Sequence, residues 1–424
     1  MRRIAIVGTG ITGLACAYLL HRHFRITLLE QNAHVGGHAN TVTVREGARD
    51  IPVDTGFMVF NKVTYPLLTR LFRELEVKIK PTEMSFSVRH SPANLEFCGS
   101  SLKHLFGQRR NIANPRFWAM LWQIHRFNRE AVMALDDSRY QQFTVRQFVV
   151  ERGYGSDFQE RYLVPMSSAV WSTPPELMLE FPVMTLIRFF HNHGFLGLRT
   201  QHPWWTVEGG ARSYVAKILE TVDSPVRLND PVTGVERNSS GAFITTQCGS
   251  REHFDKVILA CHADQTLGIL KDAGTHERRL LSAFKYHPNV ATLHTDDRVM
   301  PLTRDCWSSW NYRIDKDDRG IARPSTVYWM NRLQGVSDRQ NYFVSVNGAE
   351  LIRPEHVLRR IHYEHPVFSL QAVAAQRELP GLNLQASTQP AYFCGSYFRY
   401  GFHEDALSSA VAVARELIGK EVWA

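Results

Sequence analysis

The chain has no apolar run approaching the ~18 residues that a membrane-spanning helix needs; Ile11–Leu20 is among the longest. It has no CxxC pair. Its six cysteines, Cys16, Cys98, Cys248, Cys261, Cys306 and Cys394, are scattered over 424 residues. Neither a metal knuckle nor a disulfide framework is signalled, and a reducing cytoplasm is the expected compartment. Internal repeats and nucleic-acid recognition motifs are lacking, so no nucleic-acid partner is expected. A large excess of one charge is lacking too: 49 Lys+Arg stand against 41 Asp+Glu, a net +8. That balance suits an anionic partner such as a membrane surface or an acidic substrate. Hydrophobic residues at 44% and charged residues at 21% are ordinary globular usage, which excludes a disordered or fibrous chain. The length predicts two or three domains.

What the sequence does have begins at its first residues. Met-Arg-Arg before an apolar run imitates a secretory signal, but the same residues fit a nucleotide-binding unit better. Arg3–Val7 reads as a strand, and Gly8-Thr9-Gly10-Ile11-Thr12-Gly13 follows at once. Leu14–Arg22 has helical apolar spacing, and Arg25–Glu30 is a second apolar strand closed by Glu30. This is a βαβ unit of about 30 residues. Gly8 allows the tight turn, Gly10 lets the backbone approach a pyrophosphate, and Gly13 lets the helix pack near the strand. The helix N-terminus offers free N–H groups and a positive dipole end to the phosphates. Glu30 stands 22 residues after Gly8, where a carboxylate accepts the ribose hydroxyls and repels the extra phosphate of NADP.

Further motifs recur along the chain. Val35-Gly36-Gly37-His38 comes soon after the second strand, and Val53-Asp54-Thr55-Gly56-Phe57 follows. Asp230-Pro231-Val232-Thr233-Gly234-Val235 is a turn into a strand, with a polar hairpin turn at Asn238–Gly241. Asp255-Lys256-Val257-Ile258-Leu259-Ala260-Cys261-His262 is a buried strand ending in a small residue. Tyr392-Phe393-Cys394-Gly395-Ser396 is a strand ending in Gly. A loop, Tyr397–Phe402, then leads to His403-Glu404-Asp405-Ala406-Leu407, with helical spacing over Ala406–Ile418.

With these motifs the chain resembles the flavin-containing amine oxidase superfamily, which includes protoporphyrinogen oxidases and carotenoid desaturases. The resemblance implies an α/β fold: a discontinuous Rossmann-type FAD-binding domain and an α+β substrate domain with a mixed sheet. The FAD-binding domain would comprise 1–60, 205–268 and 388–424, and the substrate domain 61–204 and 269–387. It implies non-covalent FAD, since no motif for covalent attachment is present. The residues implied around it are Gly8, Gly10, Ile11, Thr12, Gly13, Glu30, Gln31, Gly36, Gly37, His38, Thr55, Gly56, Phe57, Val232, Ala260, Gly395, Glu404, Asp405, Ala406 and Leu407. His38 stands where relatives usually carry Arg. In such folds the Val53–Phe57 backbone passes near the isoalloxazine ring; the alternatives are a solvated turn residue for Asp54 and a core aromatic for Phe57. In relatives the last helix points its N-terminus at the flavin pyrimidine, where the positive dipole end stabilises negative charge. A carboxylate there opposes that charge, so one of Glu404 and Asp405 is expected to face elsewhere.

The remaining stretches hold most of the aromatics. Ser101–Arg129 mixes Lys, Arg and His with Leu, Phe and Trp, and a helix with one apolar face starts at Pro115. Such a helix can lie in a membrane interface; the plainer reading, adopted here, sends its tryptophans into the core. His191 and His193 lack a third ligand nearby, so no metal is expected, and Phe189–Phe195 with His202–Trp205 reads as pocket lining. Trp204–Gly210 resembles the return into the FAD domain. Cys306–Tyr312 and Val327–Asn331 look like adjacent strands. Amine oxidases usually place a Lys beside the flavin on a strand comparable to Asn289–His294, which has none; Lys285 lies just before it.

VGGHANTV, VDTGFMVFN, SSWNY and GFHEDAL together are similar to a bacterial branch of NAD/FAD-binding oxidoreductases associated with fatty acid modification, including desaturation of methylated fatty acids on the route to furan fatty acids. That resemblance implies a lipid acyl substrate and dehydrogenation by hydride transfer to flavin N5. The sequence does not fix the electron acceptor; oxygen and a quinone are the two candidates. An allylic C–H is a better hydride donor than an isolated one, and the protein must align it, exclude water and supply a base. His403 is the first candidate base, with Tyr400 and Tyr312 behind it; a histidine near neutral pKa suits the role. The alternative for His403 is a flavin contact with no proton role. The rival functions are oxidation of an amine, carotenoid or porphyrin, and a non-enzymatic flavoprotein subunit. The expected location is the cytoplasm, with peripheral contact on the inner face of the membrane.

Overall fold

Ile4, Ala5 and Ile6 are wholly buried on a strand flanked by partners on both sides, and the architecture grows outward from there. The structure is a computed structural model that describes residues 1–197, 200–316, 319–384 and 390–423. Its first sheet runs in the order Val226–Arg227, Arg25–Leu29, Arg3–Val7, Lys256–Leu259 and Ala391–Phe393, with every pairing parallel. Strands covered on both faces read as continuous apolar runs, which is why RIAIV, RITLL and KVIL carry no alternation. The helices Ile11–Leu20 and His403–Ile418 share one core cluster with Arg212–Val222 against this sheet. The expected boundary between 387 and 388 falls outside the described residues.

Two helices start earlier than their apolar spacing suggests. The first begins at Ile11, with Leu14 N–H bonded to Gly10 O at 3.0 Å. The last begins at His403, because Asp405 Oδ2 accepts Phe402 N–H at 3.0 Å and caps the first turn.

The second large sheet is mixed and seven-stranded. Its order is Val357–Val367, Lys285–His294, Phe343–Val346, Ala322–Trp329, Trp310–Lys316, Phe86–His90 and Leu95–Cys98. Trp310 faces Tyr328 across an antiparallel pair, as the adjacent apolar stretches suggested. Lys285 is inside the long strand, opposite Val367, and exposed at its end. A small sheet, in the order Phe60–Asn61, Trp204–Val207, Ile79–Thr82, ties residues near 60 to those near 205. A three-stranded antiparallel sheet, Val232–Asn238, Gly241–Thr246 and Arg251–Phe254, completes the hairpin region.

The helix Pro115–Ala134 corrects one expectation. Its buried face is Phe117, Met120, Phe127, Ala131 and Ala134; Trp118 and Trp122 face out. Burying Phe117, Met120 and Phe127 contributes about 1.5–3 kcal/mol each.

Candidate cofactor and active site

Three glycine-bearing loops are stitched together above the parallel sheet. Gly8 has φ +99°, and a Cβ there would lie 2.9 Å from Ala260 O. A Cβ on Gly13 would lie 2.0 Å from Gly8 O. Gly36 N–H donates to Thr9 O at 3.0 Å, and a Cβ on Gly37 would meet Gly10 Cα at 3.2 Å. Phe57 N–H donates to His38 O at 2.8 Å, and Gly56 packs so close to that carbonyl that its Cβ would sit 2.3 Å away. Gly10 is different: nothing lies within 4 Å of its Cβ position. Backbone packing therefore requires Gly8, Gly13, Gly36 and Gly56, whereas Gly10 borders open space at the start of the helix that carries Ile11 and Thr12.

Glu30 ends its strand beside that turn. Its Oε2 accepts Thr9 N–H at 3.1 Å and Thr9 Oγ1–H at 2.5 Å; its Oε1 accepts Asn32 N–H at 2.9 Å and Nδ2–H at 2.8 Å. The carboxylate is buried and held in one orientation. Neighbouring Gln31 is exposed. Val232 opens its strand half-buried opposite Thr246. Ala260 N–H donates to Val7 O at 2.9 Å, which seats the small residue directly under Gly8. Gly395 N–H donates to Ser409 Oγ at 2.9 Å, fixing the last strand to the last helix.

His38 sits in a cluster of rings that no motif announced. It stacks on Tyr363 at 4.7 Å and meets His365 edge-on at 5.2 Å, with His262 at 6.4 Å. His262 in turn stacks on Tyr286 at 4.3 Å, and Asn289 Nδ2 lies 2.9 Å from His365 Nδ1. Burial, and then the neighbouring histidines, pushes the His38 pKa well down; burial lowers His365 to about 4 and lowers His262. The rings are therefore neutral at physiological pH. His38 Nε2 is buried without a hydrogen-bond partner. The period-two spacing of Tyr363 and His365 on their strand is the signal that places both on one face.

His403 lies flat on Phe57, with centroids 3.7 Å apart and planes at 18°. Its Nε2 is 3.1 Å from Tyr214 Oη. Burial lowers its pKa to about 3, while burial raises that of Tyr214 well above the usual phenol value. The two acids beside it cap helices. Glu404 accepts Leu67 N–H at 2.9 Å and Leu68 N–H at 3.0 Å, at the start of the helix Pro66–Glu74. Asp405 caps its own helix, and burial raises its carboxyl to about 7. Ala406 and Leu407 point into the core shared with Ile11–Leu20.

Tyr400 and Tyr312 both reach the helix Val164–Trp171, at different points. Tyr400 O accepts Trp171 Nε1–H at 3.1 Å. Tyr312 packs with Ala169, and its buried hydroxyl near Ser168 makes no hydrogen bond of normal geometry. Burial pushes both phenols above the usual tyrosine value. His193 is stacked between Phe189, at 3.9 Å, and Trp204, at 6.2 Å. Among the described residues, no group of three His, Cys, Asp or Glu is arranged to hold a metal ion.

Asp54 is not a solvated turn residue. It is 1% exposed. Its carboxylate accepts Thr41 Oγ1–H at 2.5 Å, Ala211 N–H at 2.9 Å and Gln334 Nε2–H at 2.6 Å. Burial raises it to about 6 against those bonds. Thr55 hydrogen bonds Asn40 O at 3.0 Å and Tyr363 Oη at 2.9 Å. Residues 54–57 are thereby fixed on both sides.

The residues present fit a dinucleotide. Open space at Gly10, an oriented carboxylate at the end of the second strand, and an unpartnered imidazole nitrogen on His38 are what a pyrophosphate-linked cofactor needs.

Comparison with known proteins agrees. The sequence model of the flavin containing amine oxidoreductases matches residues 11–361. No curated protein matches the chain in sequence. Putrescine oxidase, solved with putrescine bound, superposes with a TM-score of 0.69 at 16% identity, covering 99% of both chains. Cyclohexylamine oxidase from Brevibacterium oxydans gives 0.68 at 16%, covering 98% of this chain and 99% of that one. A conjugated-linoleic-acid-producing fatty acid isomerase from P. acnes gives 0.68 at 14%, covering 96% and 97%. At such identities the likeness is one of fold.

Proposed function

Because the chain belongs to the flavin containing amine oxidoreductase family, we propose that it is an FAD-dependent oxidoreductase that dehydrogenates a methyl-branched, unsaturated fatty acyl chain of membrane lipid. The observation that carries the acyl reading is the character of the side chains around His403 and Tyr400. Phe57 and Tyr214 flank His403. Phe402 stacks on Phe189 at 4.8 Å and lies 6.0 Å from Trp171. Burial keeps His403 neutral. An aromatic wall with a neutral imidazole offers an alkyl chain an apolar surface to lie on. The fatty acid isomerase shares this fold, which supports an acyl substrate on such a scaffold.

When bound, the flavin supplies the two-electron acceptor. The residues of this chain do the rest. The Gly8–Gly13 turn and the N-terminus of the following helix would hold the pyrophosphate, and Glu30 the ribose. The N-terminus of His403–Ile418 adds a positive dipole end. The tyrosines and phenylalanines around it exclude water and align the chain. We assign the Tyr214 hydroxyl as donor to His403 Nε2, which leaves the imidazole proton on Nδ1. Burial lowers its pKa to about 3, so His403 is neutral; its Nε2 lone pair, engaged by the Tyr214 hydroxyl, is where the proton released with the hydride would go, with Tyr400 and Tyr312 behind it as candidates.

The second reading, oxidation of an amine, is favoured by the family itself and by the fold of putrescine oxidase. An anaerobic visible spectrum of the flavin-loaded protein separates the two. Bleaching by a bacterial membrane lipid extract, and not by putrescine, supports the acyl reading. Bleaching by the amine alone, with peroxide release in air, overturns it.

A further inference from the structure

The helix Pro115–Ala134 has a second face that the core does not use. Trp118 is 50% exposed and Trp122 61%, one turn apart on the same stripe. His125, Arg129 and Met133 continue that stripe, and all three are exposed. The preceding segment extends the apolar surface. Trp118 Nε1–H donates to Ile112 O at 2.8 Å, and its ring lies 5.3 Å from Phe106. Ile112 is 51% exposed and Leu102, one turn before Phe106, 75%. Tryptophan prefers the interfacial layer of a bilayer, where its apolar ring and polar N–H are both accommodated.

The surrounding charge is positive. Arg109 and Arg110 precede the helix and form no ion pair among the described residues. Lys103 pairs with Asp305 at 3.3 Å and Arg116 with Asp157 at 2.8 Å. Glu130, which pairs with Arg126, and Asp136 lie toward the far end of the helix. The end bearing both tryptophans therefore keeps a positive excess.

We propose that this face, centred on Trp118 and Trp122 and rimmed by Arg109, Arg110 and Arg116, docks the protein on an anionic lipid bilayer. The tryptophans and Leu102 enter the interfacial layer while Arg109 and Arg110 neutralise the headgroups. Among the described residues no helix is long and apolar enough to cross a membrane, so attachment by this face is peripheral and salt-sensitive. The proposal is independent of the substrate: it stands or falls on partitioning, whatever the flavin oxidises.

The test is sedimentation of the flavin-loaded protein with phosphatidylglycerol vesicles and with phosphatidylcholine vesicles, at low and high salt. Partitioning onto the anionic vesicles only, with a blue shift of tryptophan emission and release by salt, is expected. Trp118→Ser/Trp122→Ser should cut the partition coefficient at least tenfold and abolish the shift. Arg109→Glu/Arg110→Glu should do the same for partitioning with both tryptophans intact. Circular dichroism melts confirm that each variant is folded. Failure of the wild-type protein to sediment with the anionic vesicles overturns the proposal. So does undiminished binding by both variants. Concentration-dependent dimerisation lost in the tryptophan variant, without lipid binding, would assign the face to a second copy of the chain and overturns it too.

Discussion

Asp54 and Gln334, 280 positions apart, are joined by two hydrogen bonds: Asp54 N–H donates to Gln334 Oε1 at 3.0 Å, and Gln334 Nε2–H to Asp54 Oδ2 at 2.6 Å. Ala211 N–H and Thr41 Oγ1–H converge on the same carboxylate. One buried acid thus fixes the backbone that leads to Gly56 and Phe57, the turn after Trp204–Val207, and the segment following Met330–Leu333.

Removing that acid strands several donors. A buried donor left without its partner costs about 1–3 kcal/mol. Asp54→Ala is therefore expected to lower unfolding stability by about 3 kcal/mol or more, and Gln334→Ala by less. Urea unfolding of the two variants at pH 7 measures both; equal losses would show that Ala211 and Thr41 do not depend on the carboxylate.

Gly10 and Gly13 separate cofactor binding from folding. Gly10→Ala puts a methyl into open space, so the melting temperature of the apoprotein should hold while the FAD dissociation constant rises at least tenfold. Gly13→Ala drives a Cβ against Gly8 O and should lower the melting temperature itself. Flavin fluorescence titration beside thermal melts reads the two effects apart.

Glu404 is a cap in this structure. Its replacement by Ala is expected to cost about 0.5–2 kcal/mol, as for a lost helix cap, through the helix Pro66–Glu74. FAD affinity should change less than threefold. A loss of affinity much larger than the loss of stability would place the carboxylate on the cofactor instead.

His403 makes the apoprotein sensitive to acid. Its folded pKa, lowered to about 3 by burial, lies below the usual 6.5. The stability gained by keeping it neutral is complete above pH 6.5 and is lost as pH falls toward 3. The slope is up to about 1.4 kcal/mol per pH unit. His403→Gln should flatten the fall in stability between pH 6.5 and 4 relative to wild type. Parallel curves from urea titrations across that window would show that the imidazole is not held neutral.

The glycines of the first loop and the strands around them were legible because steric demands act over a few residues. Gly8 and Gly13 are fixed by contacts with Ala260 and with each other, and short-range spacing reports such constraints. The Asp54–Gln334 pair was not legible: both residues have ordinary neighbours, and their meeting depends on how two distant segments pack. The clustering of His38 with Tyr363 and His365 was hidden for the same reason. Helix Pro115–Ala134 shows a third limit. Periodicity separates Phe117, Met120 and Phe127 from Trp118 and Trp122, but both stripes are aromatic, and only the packing partners decide which turns inward.

The strand Arg3–Val7 is central in its sheet, yet its neighbour on one side is Lys256–Leu259, and Ala391–Phe393 lies beyond that. During synthesis Arg3–Val7 must wait for Lys256–Leu259 and then Ala391–Phe393 before its sheet is complete. Parallel pairing over such separations is slow, and its unfinished edges are prone to association. The dinucleotide-binding turn is therefore complete only after segments more than 380 positions apart have met.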